Sequence, residues 1–396
     1  MSVHVLQAGP ACLDADGVPR LWATLWATLW PLTISNDTAK RRLRAADLLY
    51  TISDELFGYR SLDEVLTAGD LAKIHSLLDA AHHRLRNRAR SEHSNLGKTF
   101  DHAKAFIFDA MARWHGAGSL SPIRRALDEL ETHYREADVD AVEKDMKIRA
   151  LPEIVVRELG EIFNPLSPRN PFRTASLRWR NFLLFLLLLT LGIRRGESAL
   201  MTTASVYSEF DIRLGRMVYF ANIMETHEAD QRSEAPSLKT EASLRQIPIA
   251  KSLVRILSVY EVEHRPVSHT PFLLLSQKKK PLSVRQINSV FESATAGFSD
   301  EAIAALARQR REAVTPHDLR HTCAVMRLKR HVDGQGLSLA LAHQRLREFF
   351  GWDPDSEMPA HYSRAYSQPK AAEAWDFALD ATLDVLRHLG IDPEEL

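Results

Sequence analysis

The spacing of apolar residues changes along the chain, and each change marks a different kind of element. Residues 1–20 hold Gly, Pro and Asp without periodicity and read as a loose arm. LWATLWATLWP follows, with Trp22, Trp26 and Trp30 four residues apart. That spacing puts the three indoles on one face of a helix, which Pro31 ends. Residues 36–118 repeat apolar positions at helical spacing. Asn36, Asp37 and Thr38 are cap-type residues ahead of RRLRAADLLYTISDEL, and Thr67 to Asp70 precede LAKIHSLLDAAHHRLRNRAR. A further helix, KTFDHAKAFIFDAMARW, stops near the GAGS at 116–119. Residues 121–147 are charged and weakly apolar, a helix-like linker.

From about Arg149 the pattern shifts. ALPEIVVRELGEIF predicts a helix that opens a second domain, and FNPLSPRNPFR is a Pro-rich loop. Next comes the most apolar run, NFLLFLLLLTLGIRRGESALM at 181–201. Phe182 to Ile193 is too short for a membrane span, which needs about 20 residues, and arginines flank it on both sides. A short helix apolar on all sides is a buried core helix. Residues 205–250 turn to strand-type patterning: RMVYFANI, then PSLKT-EAS-LRQIPIA, which reads as a hairpin. After the lysines at 278–280 the chain returns to helices. The expected fold is α+β and mostly α-helical. A helical domain over 36–120 follows an arm over 1–35. A linker over 121–148 leads to a mixed domain over 149–396 with a small antiparallel sheet.

Composition narrows this picture. The chain has 396 residues, 45% of them hydrophobic and 26% charged, as in ordinary globular proteins. Lys plus Arg equals Asp plus Glu, so net charge identifies no anionic partner, although a local basic face can still bind one. Cys12 and Cys323 are the only cysteines. They build no disulfide framework and no C-x-x-C zinc pair, which fits a reducing cytoplasm. The N-terminal residues lack a basic stretch followed by an apolar one, so no export signal is expected.

Candidate chemistry concentrates at a few places. In TPHDLRHT, residues 315–322, Thr315 suits an N-cap, Pro316 the first helical position, and Asp318 completes a capping box. His317 and Arg320 then share the positive end of a helix, a place to hold an anion. In TLGIRRGESAL, residues 190–200, the apolar helix breaks at Gly192, and Arg194 and Glu197 fall on one face. Lys239 stands in the expected hairpin, and Tyr362 in GWDPDSEMPAHYSRAY. Basic clusters at 40–44 and 84–90 are solvated helix faces or phosphate-binding edges.

In this order these pieces resemble the tyrosine recombinase (phage integrase) family. The resemblance covers residues 149–390 by motif, and the helical region before it resembles the family's core-binding domain by position. It implies catalytic roles for Arg194, Lys239, His317, Arg320, Trp352 and Tyr362, with Glu197 in support. It further implies double-stranded DNA as substrate, a 3′-phosphotyrosine intermediate, no cofactor or metal, and a tetramer on two paired sites. The protein would work in the cytoplasm, at the nucleoid. Arg41, Arg42, Arg84, Arg86, Arg88 and Arg195 are the expected DNA-backbone contacts. Residues 367–390 predict a tail helix that such proteins exchange between protomers. Trp352 to Tyr362 is one residue longer than the family's spacing, which leaves Tyr366 as a rival nucleophile. A catalytically silent DNA-binding relative and a type IB topoisomerase-like enzyme are the alternatives. The Trp22/Trp26/Trp30 stripe packs on its own domain or, if exposed, docks an accessory protein.

Overall fold

The structure, a computed structural model, describes residues 10–366 apart from 32–33, 93–95, 116–121, 136, 138, 140–149, 226–229, 231, 233–234, 237 and 239–242. The chain divides into two compact units, Met1–Asp145 and Met146–Leu396.

The first unit is helical: α1 (Leu21–Ala27), α2 (Asn36–Phe57), α3 (Ser61–Ala68), α4 (Leu71–Glu92), α5 (Gly97–His115) and α6 (Pro122–Arg135). Ser35, rather than the Asn36–Thr38 group, caps α2, its hydroxyl accepting the Thr38 amide at 3.2 Å. Gly58, at φ +99°, ends α2 just past the expected helix, and the short α3 that follows was not expected. The tryptophan stripe turns inward. Trp22 and Trp26 are buried, and the Trp26 indole donates to Asp109 Oδ2 at 2.8 Å. Trp30 is half-buried under the Arg42 guanidinium. The Trp22 and Trp26 indoles find partners for their N–H groups inside their own unit, so these two rings offer no exposed docking face. The stretch expected to act as a linker is helical over α6, and Leu127 and Tyr134 enter the core of this unit.

The second unit holds α7 (Glu153–Phe163), α8 (Ala175–Thr190), α9 (Arg195–Leu200), strands β1 (Val206–Asp211), β2 (Arg216–Ile223) and β3 (Arg245–Ile249), then α10 (Lys251–Val259), α11 (Val284–Thr295), α12 (Asp300–Arg308), α13 (Pro316–Lys329), α14 (Leu339–Phe350) and α15 (Met358–Tyr366). The Thr174 hydroxyl caps α8 by accepting the Leu177 amide, and every residue from Trp179 to Leu189 is buried. Helices α7, α10 and α13 pack around it, which explains why its apolar residues show no single face. Among the described residues, no helix is long and apolar enough to cross a membrane.

The sheet is antiparallel in the order β1-β2-β3. RQIPI pairs with RMVYFANI, and within the sheet Phe220 lies opposite Tyr207 on one side and Pro248 on the other; most of PSLKT, the expected hairpin partner of RQIPI, lies outside the described residues. Alternation alone does not name a strand's neighbour. Lys239 and the neighbouring hairpin residues 240–242 lie outside the described residues, as does the expected tail helix.

Candidate active site

The site grows from the break after α8. Gly192 adopts φ +56°, and a Cβ there would lie 2.4 Å from Phe350 Cε1. Glycine alone lets the chain turn under the Phe350 ring. The turn aims the Gly192 carbonyl at Arg320, whose Nη1 donates to it at 2.6 Å, while Nη2 donates to the Phe350 carbonyl at 2.8 Å. Arg320 is 3% exposed. Burial, and next the positive charge of Arg194, push its guanidinium down to about 9, so it stays cationic at neutral pH. Its remaining surface lies against the faces of Phe350 and Trp352.

Arg194 sits at the start of α9, and its backbone amide donates to Glu197 Oε2 at 2.8 Å. Its Nη1 donates to Glu197 Oε1 at 2.6 Å and to the Ser243 hydroxyl at 2.9 Å. Glu197 is also gripped by Arg245, from β3, through Nη2 to Oε2 at 2.8 Å and Nη1 to Oε1 at 3.2 Å. Burial works to raise the Glu197 carboxyl. Hydrogen bonds and charge from Arg245, the Arg320 charge and the Arg194 amide outweigh it and hold the group below the usual carboxylate range. One buried carboxylate thus fixes two arginines, and Arg194 keeps 26% of its side chain exposed.

The α13 start is built as the sequence predicts. Asp318 Oδ2 accepts both the amide and the hydroxyl of Thr315 at 2.8 Å. His317 is exposed on the first turn, and its ring meets His321 edge-on at 4.4 Å between centroids. Tyr362, on α15, is buried, and its hydroxyl is 2.8 Å from His321 Nδ1. Its ring stacks on Trp352 at 5.6 Å and 10°, and Trp352 stacks in turn on Phe350 at 4.7 Å and 14°. Burial pushes the Tyr362 phenol up, and the Arg320 charge offsets part of that.

The structure therefore gathers Arg194, Glu197, Arg320, Trp352 and Tyr362, with His317 one ring away. The side chain of Tyr366 and all of Lys239 are outside the described residues. Among the expected backbone contacts, Arg41, Arg86 and Arg195 are exposed, and Arg195 bonds Asn288 at 3.1 Å. Arg84 is paired with Glu55, and Arg88 with Glu92 at 2.9 Å. Two site residues were missed in the sequence. His321, not His317, meets the tyrosine hydroxyl, and Arg245 shares Glu197. Both stood inside quoted motifs, LRHT and LRQIPI; the signal was a second ionisable side chain next to the one already assigned.

Two guanidiniums beside a tyrosine hydroxyl, with imidazoles at hand, define a site for covalent chemistry on an oxyanion. Residues 158–349 match the Phage integrase family model, and this part of the chain belongs to that family, the tyrosine recombinases. No curated protein matches the sequence. The fold is similar to that of the Tn1549 transposon integrase solved with transposon right-end DNA, at a TM-score of 0.51 and 15% identity over 94% of this chain and 98% of that one. The XerH site-specific recombinase bound to a palindromic difH substrate aligns at TM-score 0.49 and 16% identity, over 84% and 80% of the two chains. A lambda integrase dimer on a COC′ core site aligns at 0.45 and 14%, over 88% and 79%.

Proposed function

We propose that the protein is a site-specific DNA recombinase of a mobile element, which cuts and rejoins double-stranded DNA through a 3′-phosphotyrosine. The observation that carries this reading is the placing of the Tyr362 hydroxyl, on an imidazole nitrogen and within the field of the buried Arg320. The Tyr362 oxygen attacks phosphorus and forms a phosphotyrosine ester as the bond to the 5′-oxygen breaks. The phenol proton passes to His321 Nδ1, with His317 beside it, and the leaving 5′-oxygen takes a proton from Lys239. Attack by a 5′-hydroxyl of another strand reverses these steps and releases Tyr362. The ester conserves the bond energy, so no nucleotide cofactor is required.

Arg194 donates to the non-bridging oxygens, whose charge grows in the transition state, and the Arg320 charge adds to its field. Arg320 already serves two carbonyls, so its role is a fixed cation, and Arg194, the more exposed of the two, is the group that turns to phosphate. Glu197 positions Arg194. Trp352 holds the tyrosine ring and donates through its indole N–H. The Tn1549 integrase, similar in fold, is solved with transposon right-end DNA; the assembly proposed for this protein is a tetramer on two paired sites.

The test is a nicked duplex of the element's end, whose short 5′-hydroxyl strand diffuses away after cleavage. The intact protein is expected to become covalently joined to the DNA, Tyr362→Phe to remain free, and Tyr366→Phe to join as the parent does. Trapping that survives Tyr362→Phe but not Tyr366→Phe moves the nucleophile to Tyr366. No adduct with any cognate end turns the reading toward a silent DNA-binding relative. Relaxation of supercoiled plasmid without strand exchange would make it topoisomerase-like.

A further inference from the structure

Far along the chain from the catalytic motifs, the first unit brings together three residues that no motif links. His75 and Asp79 lie one turn apart on α4, and His133 comes from α6. One donor atom from each falls within 4.8 Å of the others. We infer that these residues form a binding site for one divalent transition-metal ion of the zinc class, which clips α6 to α4. The inference is independent of the proposed DNA reaction.

Two imidazoles and a carboxylate are a ligand set that zinc takes with water in the fourth position. Bonds of about 2.0–2.2 Å in a tetrahedron put neighbouring donors about 3.3–3.6 Å apart. His75 Nε2 and Asp79 Oδ2 are 3.6 Å apart, so one edge of that tetrahedron is nearly formed. His133 needs only side-chain rotation to close the others. An ordinary helix ion pair explains His75 with Asp79 but not the third residue.

The surroundings supply a second observation. Tyr134 donates its hydroxyl to Asp79 Oδ1 at 2.5 Å, which occupies one carboxylate oxygen and leaves Oδ2 toward the histidines. Tyr134 is buried, and its carbonyl accepts Lys104 Nζ at 3.1 Å. A carboxylate ligand oriented by a buried phenol is the kind of outer contact that sets a ligand's aim. Half of each α4 side chain is open to solvent, which gives the ion a path in. The chain has no paired cysteines to mark a zinc site; helical folding makes the ligand set from residues 54 positions apart, 79 to 133.

Full-length protein stripped with a chelator is to be titrated with Co²⁺ and then Zn²⁺. One equivalent of Co²⁺ is expected to give visible absorption bands of a low-symmetry site, and Zn²⁺ to bleach them and raise the Tm of the first unit. His133→Ala and Asp79→Asn should abolish both signals. His133 is exposed, so its metal-free variant should melt as the metal-free parent does. If Asp79→Asn fails to fold, because an amide oxygen is a weaker acceptor for Tyr134 than a carboxylate, His133→Ala alone decides. No stoichiometric uptake, or bands and a Tm rise that persist in His133→Ala, would overturn the site.

Discussion

Glu197 shows how much of the site depends on a residue that never touches phosphate. It is 3% exposed and accepts from the Arg194 amide and from the guanidiniums of both Arg194 and Arg245. Removing one partner of such a buried pair leaves uncompensated charge, so Glu197→Gln should destabilise the second unit by about 3–5 kcal/mol, measured by urea unfolding. The pH dependence has a definite sign. Glu197 is depressed in the folded state, so its contribution is complete above the ordinary carboxylate value of about 4.3. It is lost as pH falls through the lower folded value. Stability of the parent should therefore fall through that acid range more steeply than that of Glu197→Gln; equal slopes would remove Glu197 from the account. The pairing of Arg194 with Glu197 could be read from their three-residue spacing. Arg245 could not, because its partner lies 48 positions away and the contact exists only once β3 pairs with β2.

Elements were legible wherever one face or one cap decides. The start of α13 carries Thr315, Pro316 and Asp318 in the order that satisfies its first amides, and α8 declares its burial by composition. The pairing of RQIPI with RMVYFANI was not legible, since alternation marks a strand but does not name its neighbour. The joint between α8 and α9 is the most constrained link. Alanine at Gly192 would need a positive φ and would drive a methyl into Phe350 and Cys323. Gly192→Ala should cost the overpacking range of about 1–3 kcal/mol or more. It should also displace the carbonyl that Arg320 uses, which lowers cleavage beyond the loss in folded protein. A variant with normal Tm and normal adduct formation would show that the turn tolerates a side chain.

At the scale of the whole molecule, equal numbers of acidic and basic residues disguise an uneven supply of available cations. Arg84 and Arg88 are engaged by Glu55 and Glu92, whereas Arg86, on the same helix, is exposed. If α4 borders the DNA, Arg86→Ala should flatten the slope of log binding constant against log salt by about 0.9. Arg84→Ala should change it less, because Glu55 already competes for that charge. Identical slopes for Arg86→Ala and the parent would take α4 off the DNA. The tryptophan stripe belongs to this scale too: its spacing fixed a helix face, but which way that face points depends on partners such as Asp109 that are distant in sequence.

The stack of Phe350, Trp352 and Tyr362 has an optical consequence. An indole flattened between two rings, with a guanidinium near its face, emits light according to what lies against it. In the proposed reaction the phenol leaves His321 to meet a phosphate, and Trp352 then loses one of its two covers, so its emission would mark the moment the proposed nucleophile departs. A change in tryptophan emission on adding cognate DNA, absent in Trp352→Phe, should precede covalent joining in stopped-flow. Emission that changes only after the adduct has formed would mean that the ring moves with the chemistry and not ahead of it.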